Sequence, residues 1–254
     1  METARLDFDC NICGTHIVDC PIEQIDREVV SCATCGSTVR WRGIVHVLSL
    51  ALFGKSIPLT EFPEDKAIRG VGLSDSPLYA TPLAEKFSYT NTYIHQEPLM
   101  DIENPAEAFI GVHDFLISAD VFEHVMPPAA RAFENALRLL KPGGHLILTV
   151  PYGHDDETLE HFPDVAAYKI VQFDEEYVMV HRDKFGAYTL RTDLRFHGGQ
   201  GDTLEMRVFA RRHVLKLLAD AGFTDIQVFE DPYLPWGLRN FDPWGKPILA
   251  KRPL

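Results

Sequence analysis

Apolar positions along the chain follow two periods, and their order sets out the elements. Phe115-Leu116-Ile117-Ser118 and His145-Leu146-Ile147-Leu148-Thr149-Val150 are short apolar runs of the kind that a parallel strand covered on both faces shows. Between them Phe133, Ala136, Leu137 and Leu140 fall at i, i+3, i+4 and i+7, predicting a helix with one apolar stripe. Lys141-Pro142-Gly143-Gly144 should stop it, because proline cannot continue a helix and glycine accepts the positive φ of a reversal. Val214, Leu217, Leu218 and Ala221 make a second stripe, ended by Gly222 and followed by a strand from Phe223. Upstream, Ile44, Val47, Leu48 and Ala51 predict a helix over residues 41–53 closed by Gly54. Residues 55–66, with Pro58 and Pro63, read as a connector. A strand then runs through residues 67–75, a helix through 78–87 and another strand through 89–95. Residues 168–180 and 187–196 alternate apolar and polar around the turn 182–186, which predicts a β-hairpin.

Alternation of strand and helix implies an α/β fold with a mostly parallel sheet and helices on both faces. At 254 residues and 46% hydrophobic content, the chain can hold one such domain and a small appendage. No run of about 18 apolar residues and no basic, apolar leader is present, so the expectation is a cytoplasmic protein without a membrane span. A net charge of −13 repels a phosphate backbone and disfavours nucleic acid as a partner.

The appendage has its own chemistry. Cys10-Asn-Ile-Cys13-Gly and Cys32-Ala-Thr-Cys35-Gly are two Cys-x-x-Cys-Gly knuckles, and this spacing predicts a four-thiolate zinc site. Two disulfides are the competing reading, disfavoured in a chain without a secretory signal. Cys20 stands outside the pattern. Residues 1–40 alone bury too little apolar surface to fold, so the ion would be structural, and four thiolates leave no open position for catalysis. Acidic neighbours such as Asp7, Asp9, Asp19, Glu23, Asp26 and Glu28 point to a module for docking a protein partner or for forming a homo-oligomer rather than for gripping nucleic acid.

The segments Phe-Leu-Ile-Ser-Ala-Asp-Val-Phe-Glu-His-Val from Phe115 and Leu-Arg-Leu-Leu-Lys-Pro-Gly-Gly-His-Leu-Ile-Leu-Thr-Val-Pro from Leu137, with a closing "helix, Ala-Gly-Phe, strand" unit, resemble class I S-adenosylmethionine-dependent methyltransferases. The resemblance implies a Rossmann-like sheet over residues 41–254, with the hairpin as an insertion (residues 155–207) after the fifth strand. It implies S-adenosylmethionine as cofactor, held in part by Ala119, Asp120 and Val121. The family's run of glycines after the first strand is missing, which leaves two registers. In one, Gly70-Val-Gly72 is a shortened loop and Glu97 is the acid after the second strand. In the other, Gly72-Leu-Ser74-Asp75 ends the second strand, Asp101 with Ile102 follows the third, and the first strand is degenerate or replaced by residues 41–53. Intervals between the acids favour the second, which gives Asp75 to the ribose hydroxyls.

Insertions at the carboxyl edge of an open α/β sheet lie where ligands bind, so residues 155–207 are assigned to substrate recognition. A hydroxyl or amine acceptor must lose a proton around methyl transfer, and histidine is matched to take it near neutral pH. His161, opening the insertion, is the first candidate; His197 is another, and His124 is expected in the pocket wall. The leading expectation is a methyltransferase acting on a small molecule or glycan. Its rival is a catalytically silent methyltransferase fold serving as a scaffold docked through the zinc knot.

Overall fold

The computed structural model describes residues 4–153, 155–197, 199, 203–239 and 244–254. A hairpin of β1 (Arg5–Asp9) and β2 (His16–Pro21) precedes α1 (Val39–Phe53). Then come β3 (Arg69–Leu73), α2 (Pro77–Lys86), β4 (Ser88–Thr92), β5 (His113–Ala119), α3 (Ala130–Leu139) and β6 (Leu140–Thr149). The inserted block holds β7 (Leu159–Glu160), β8 (Val165–Phe173), β9 (Glu176–Asp183), β10 (Tyr188–Arg191), β11 (Phe196–His197), β12 (Thr203–Leu204) and β13 (Arg207–Val208). The chain closes with α4 (Arg211–Ala221), β14 (Thr224–Val228) and β15 (Ile248–Lys251).

Six strands form the central sheet in the order β14-β15-β6-β5-β3-β4. β3 is parallel to β4 and to β5, β5 is parallel to β6, and β15 runs antiparallel between β6 and β14. The period of two in the central strands divides their side chains between two cores. Leu116, Leu146 and Leu148 face Phe133, Ala136, Val214 and Leu218 of α3 and α4. Phe115, Ile117 and Ile147 face Ile44, Val47 and Leu48 of α1 and Leu83 of α2. Cys10, Ile12 and Cys32 belong to this second core, so the cysteine knuckles are packed against α1. Among the described residues no helix is long and apolar enough to cross a membrane.

Three expectations change, and one strand was not expected. The inserted hairpin is a three-stranded antiparallel sheet of order β10-β9-β8, because residues 168–180 reverse at Asp174, whose φ of 51° aspartate tolerates better than most residues. Lys141-Pro142-Gly143-Gly144 lies within β6, with Gly143 at φ 80° turning the strand, and so does not precede it. The four-residue β15 gave no signal of its own in the sequence. Finally, β3 pairs directly with β5 and residues 41–53 are helical, so β3 takes the first-strand place, as in the first register. Gly198, Gln200, Gly201 and Asp202 of the glycine-rich segment lie outside the described residues.

Candidate active site

The chain leaves β3 toward β4 on one side and later returns to β5 on the other, so the carboxyl ends of β3 and β5 form the switch point where open α/β sheets bind ligands. The first residue past each strand is a non-glycine with positive φ, Ser74 and Asp120, both at 55°. Such strain persists where the surroundings over-determine it, typically at sites. Ser74 N–H donates to Thr92 O at 2.7 Å and Asp120 N–H to Thr149 O at 2.9 Å, which fixes both corners. A cleft of about 370 Å³ opens there, within the roughly 300–1,000 Å³ usual for small-ligand sites. Ser74, Tyr93, His95, Asp101, Ile102 and Val121 contribute to its wall, together with Asp120 and His124. Through Asp120 and His124 it joins a wider cavity of about 1430 Å³, walled by Ala119, Tyr168, Lys169 and His197.

Several residues expected at the cofactor lie elsewhere. Gly70 and Gly72 sit inside β3, where a Cβ would come 2.1 Å from Phe115 and 2.0 Å from the Tyr89 hydroxyl, so core packing demands both glycines. Asp75 is buried: Tyr79 Oη donates to its Oδ1 at 2.8 Å and Tyr89 Oη closes on Oδ2. Burial pushes its carboxyl up to about 7 against these two hydrogen bonds. With both oxygens taken, it offers nothing to a ribose. Glu97 is exposed, outside the cleft wall, and accepts the Leu99 N–H at 3.1 Å.

The three candidate histidines do come together, around two acids that sequence reasoning did not single out. Glu123 is fully buried and, among the described residues, neither carboxylate oxygen has a hydrogen-bond partner. His124 Nε2 stands 3.6 Å from it and His197 Nδ1 3.7 Å. Burial, and then the charge of Asp120, hold the Glu123 carboxyl well above the ordinary range. His124 Nδ1 donates to Leu204 O at 2.9 Å; burial lowers its pKa against that bond. His197 Nε2 closes on Glu205 Oε2, while His161 Nε2 donates to Glu205 Oε1 at 2.9 Å. His161 walls neither cavity and reaches the site only through Glu205. The available signal was the insertion itself, rich in Glu and His around the Glu160-His161 and Leu204-Glu205 steps.

The cysteine module reaches this edge too. Arg27 Nη2 lies 2.7 Å from Asp120 Oδ1 and Arg40 Nη1 3.1 Å from Oδ2, and Thr149 Oγ1 donates to Oδ1 at 2.8 Å. Burial would raise the Asp120 carboxyl, but the Arg27 charge, its hydrogen bond and Arg40 hold it below the ordinary value. The four cysteines are free thiols in one cluster. Cys10 and Cys35 sulfurs are 3.6 Å apart and Cys13 and Cys32 sulfurs 3.7 Å, close to the ~3.8 Å edge of a tetrahedron with Zn–S bonds of about 2.3 Å. Arg42 is fully buried beside them; burial lowers its pKa, and Cys10, Cys32 and Cys35, together with Cys20, oppose that shift. The residues present therefore fit the ion.

Strand order and switch-point cleft define a Rossmann-like α/β fold. Residues 64–148, from the connector before β3 to the end of β6, match the family model of the methyltransferase domain. That match places a methyltransferase domain within this sheet, next to an amino-terminal four-cysteine cluster. None of the curated proteins compared matches the chain. Among solved structures it is similar to the 1,6-didemethyltoxoflavin-N1-methyltransferase of Burkholderia thailandensis, at 12% identity over 84% of this chain and 79% of that one, with a TM-score of 0.46. A sugar N-methyltransferase from Streptoalloteichus sp is 13% identical over 85% of this chain and 87% of its own, TM-score 0.47. An amino pentose methyltransferase from Micromonospora echinaspora is 12% identical over 85% and 92%, TM-score 0.47.

Proposed function

We propose that this chain methylates an oxygen or nitrogen of a small-molecule or glycan acceptor held in the cavity between the inserted block and the carboxyl ends of β3 and β5. The observation that carries the reading is the meeting of His124 and His197 where the cofactor cleft opens into that cavity. S-adenosylmethionine, when bound, supplies an electrophilic methyl on sulfur. Asp101, Ile102, Ser74 and Val121, which wall the cleft, would hold its nucleoside end, and Ala119 and Asp120, which wall the wider cavity, the end that faces the acceptor. The acceptor atom gains the methyl and loses a proton, and the sulfonium leaves as a neutral thioether. A neutral imidazole of His124 or His197 is in place to receive that proton. Tyr168, Lys169 and Ile170 of β8 form the opposite wall and set the acceptor's shape and polarity. Zinc on Cys10, Cys13, Cys32 and Cys35 braces the module that delivers Arg27 and Arg40 to Asp120.

Titration calorimetry with S-adenosylhomocysteine tests the reading. Binding should weaken about 10-fold or more in Asp101→Ala, the loss expected when a hydrogen bond to a charged group is removed. Wild-type protein that does not bind the ligand at all would overturn it.

A further inference from the structure

We propose that Glu123, His124 and His197 form a second metal site, for a divalent first-row transition ion, whose open positions face the acceptor. The inference rests on the cavity being the acceptor's, and it replaces a free imidazole base by a Lewis acid. Three observations converge. Glu123 is a fully buried carboxylate whose two oxygens have no hydrogen-bond partner among the described residues, a costly arrangement unless a cation completes it. His124 Nδ1 meets a carbonyl, which can only accept, so the ring proton is there and Nε2 points its lone pair toward Glu123. His197 repeats the pattern with its nitrogens reversed: Nε2 is engaged by Glu205 and Nδ1 faces Glu123.

Two imidazole lone pairs thus converge on one carboxylate at 3.6 and 3.7 Å. That is too long for hydrogen bonds and near the ~3.4 Å ligand-to-ligand edge about an ion with bonds of roughly 2.1 Å. The outer contacts are those that metal-bound histidines make, a backbone carbonyl behind His124 and a carboxylate behind His197, with His161 anchoring that carboxylate at 2.9 Å. Two histidines and one carboxylate leave coordination positions open and select a transition ion over magnesium or calcium. Since His124 and His197 both wall the acceptor cavity, an acceptor hydroxyl can enter the open position. There its O–H proton is lost to water more easily, its oxygen forms the new bond to carbon, the carbon–sulfur pair stays on sulfur, and the ion is unchanged.

The test uses the full chain with its four-cysteine site zinc-loaded and any weaker-bound ion dialysed away. Mn²⁺ is titrated and followed by the electron paramagnetic resonance signal of the free ion; thiolates are poor ligands for it, so the cysteine cluster does not contribute. Wild type should bind one Mn²⁺ per chain. His197→Ala and Glu123→Gln should lose that binding, and Glu205→Gln, which touches no ion, should weaken it by about 10–100-fold. His197 is partly exposed on a two-residue strand, so its variant keeps the test open if Glu123→Gln fails to fold. S-adenosylhomocysteine is titrated in parallel. Wild type that leaves Mn²⁺ free at millimolar concentration while binding the thioether overturns the metal site and spares the methyltransferase reading. Equal Mn²⁺ affinity in His197→Ala also overturns it, and loss of both ligands in wild type overturns both proposals.

Discussion

The carboxyl ends of β3 and β5 each carry a buried carboxylate, and the two are treated in opposite ways. At the end of β3, Asp75 is closed off by two phenols, and Gly72 is bare so that Tyr89 can reach it. At the end of β5, Glu123 is equally buried and its carboxylate oxygens have no hydrogen-bond partner among the described residues, while its neighbour Asp120 is held by Arg27 and Arg40 from the cysteine module. A satisfied acid stiffens a fold; an unsatisfied one beside a cavity is kept for something that arrives. The same type of residue at equivalent strand ends therefore serves structure on one side of the switch point and chemistry on the other.

The largest expected effect breaks the β5 side at its origin. Cys32→Ser should release the zinc and unpack the module from the core it shares with α1, lowering stability by more than about 4 kcal/mol, the range reached when a metal site is lost. Metal content and a thermal melt read both consequences, and an unchanged melting temperature would show that the cysteines brace nothing. Arg27→Ala is narrower. It leaves Asp120 buried with only Arg40 as counter-charge, and removing one partner of a buried pair costs about 3–5 kcal/mol. Urea unfolding measures it, and adding Asp120→Asn should recover part of the loss, since the two effects are coupled. A cost below about 1 kcal/mol would mean that the module does not support this edge.

Much of this was legible from the chain, and what was hidden has physical causes. The helices were readable because 3.6-residue stripes end at real stops: Gly54 and Gly222 take the left-handed φ expected of them, 67° and 101°. The cysteine cluster was readable because its spacing is local. The roles of Gly70, Gly72 and Asp75 were not, because a glycine that admits a cofactor and one that admits a tyrosine look alike in sequence. Glu123 and Glu205 are 82 residues apart, and only the return of β12 to the end of β5, where Met206 N–H donates to Glu123 O at 2.9 Å, brings them to one site. His161 sits in the expected block but behind Glu205, an order in depth that a linear pattern does not carry.

The smallest expected effect on binding is the sharpest test of the contrast. Asp75→Asn should leave S-adenosylhomocysteine affinity within about 2-fold, a difference of about 0.4 kcal/mol, because Asp75 faces the core and not the cleft. Its signature is in stability against pH. Burial raises the folded carboxyl to about 7 from an ordinary 3.8, so below pH 4 both folded and unfolded chains hold the proton and the contribution is fully present. Between pH 4 and 7 the unfolded chain ionises while the folded one does not, and stability is lost at up to about 1.4 kcal/mol per pH unit, levelling off above 7. Asparagine cannot ionise and removes that slope. The melting temperature of Asp75→Asn minus that of wild type should therefore climb from pH 4 to pH 7 and then stay level. A flat difference would mean that the two phenols stabilise the ionised carboxylate, and a large loss of cofactor affinity would return Asp75 to the ribose.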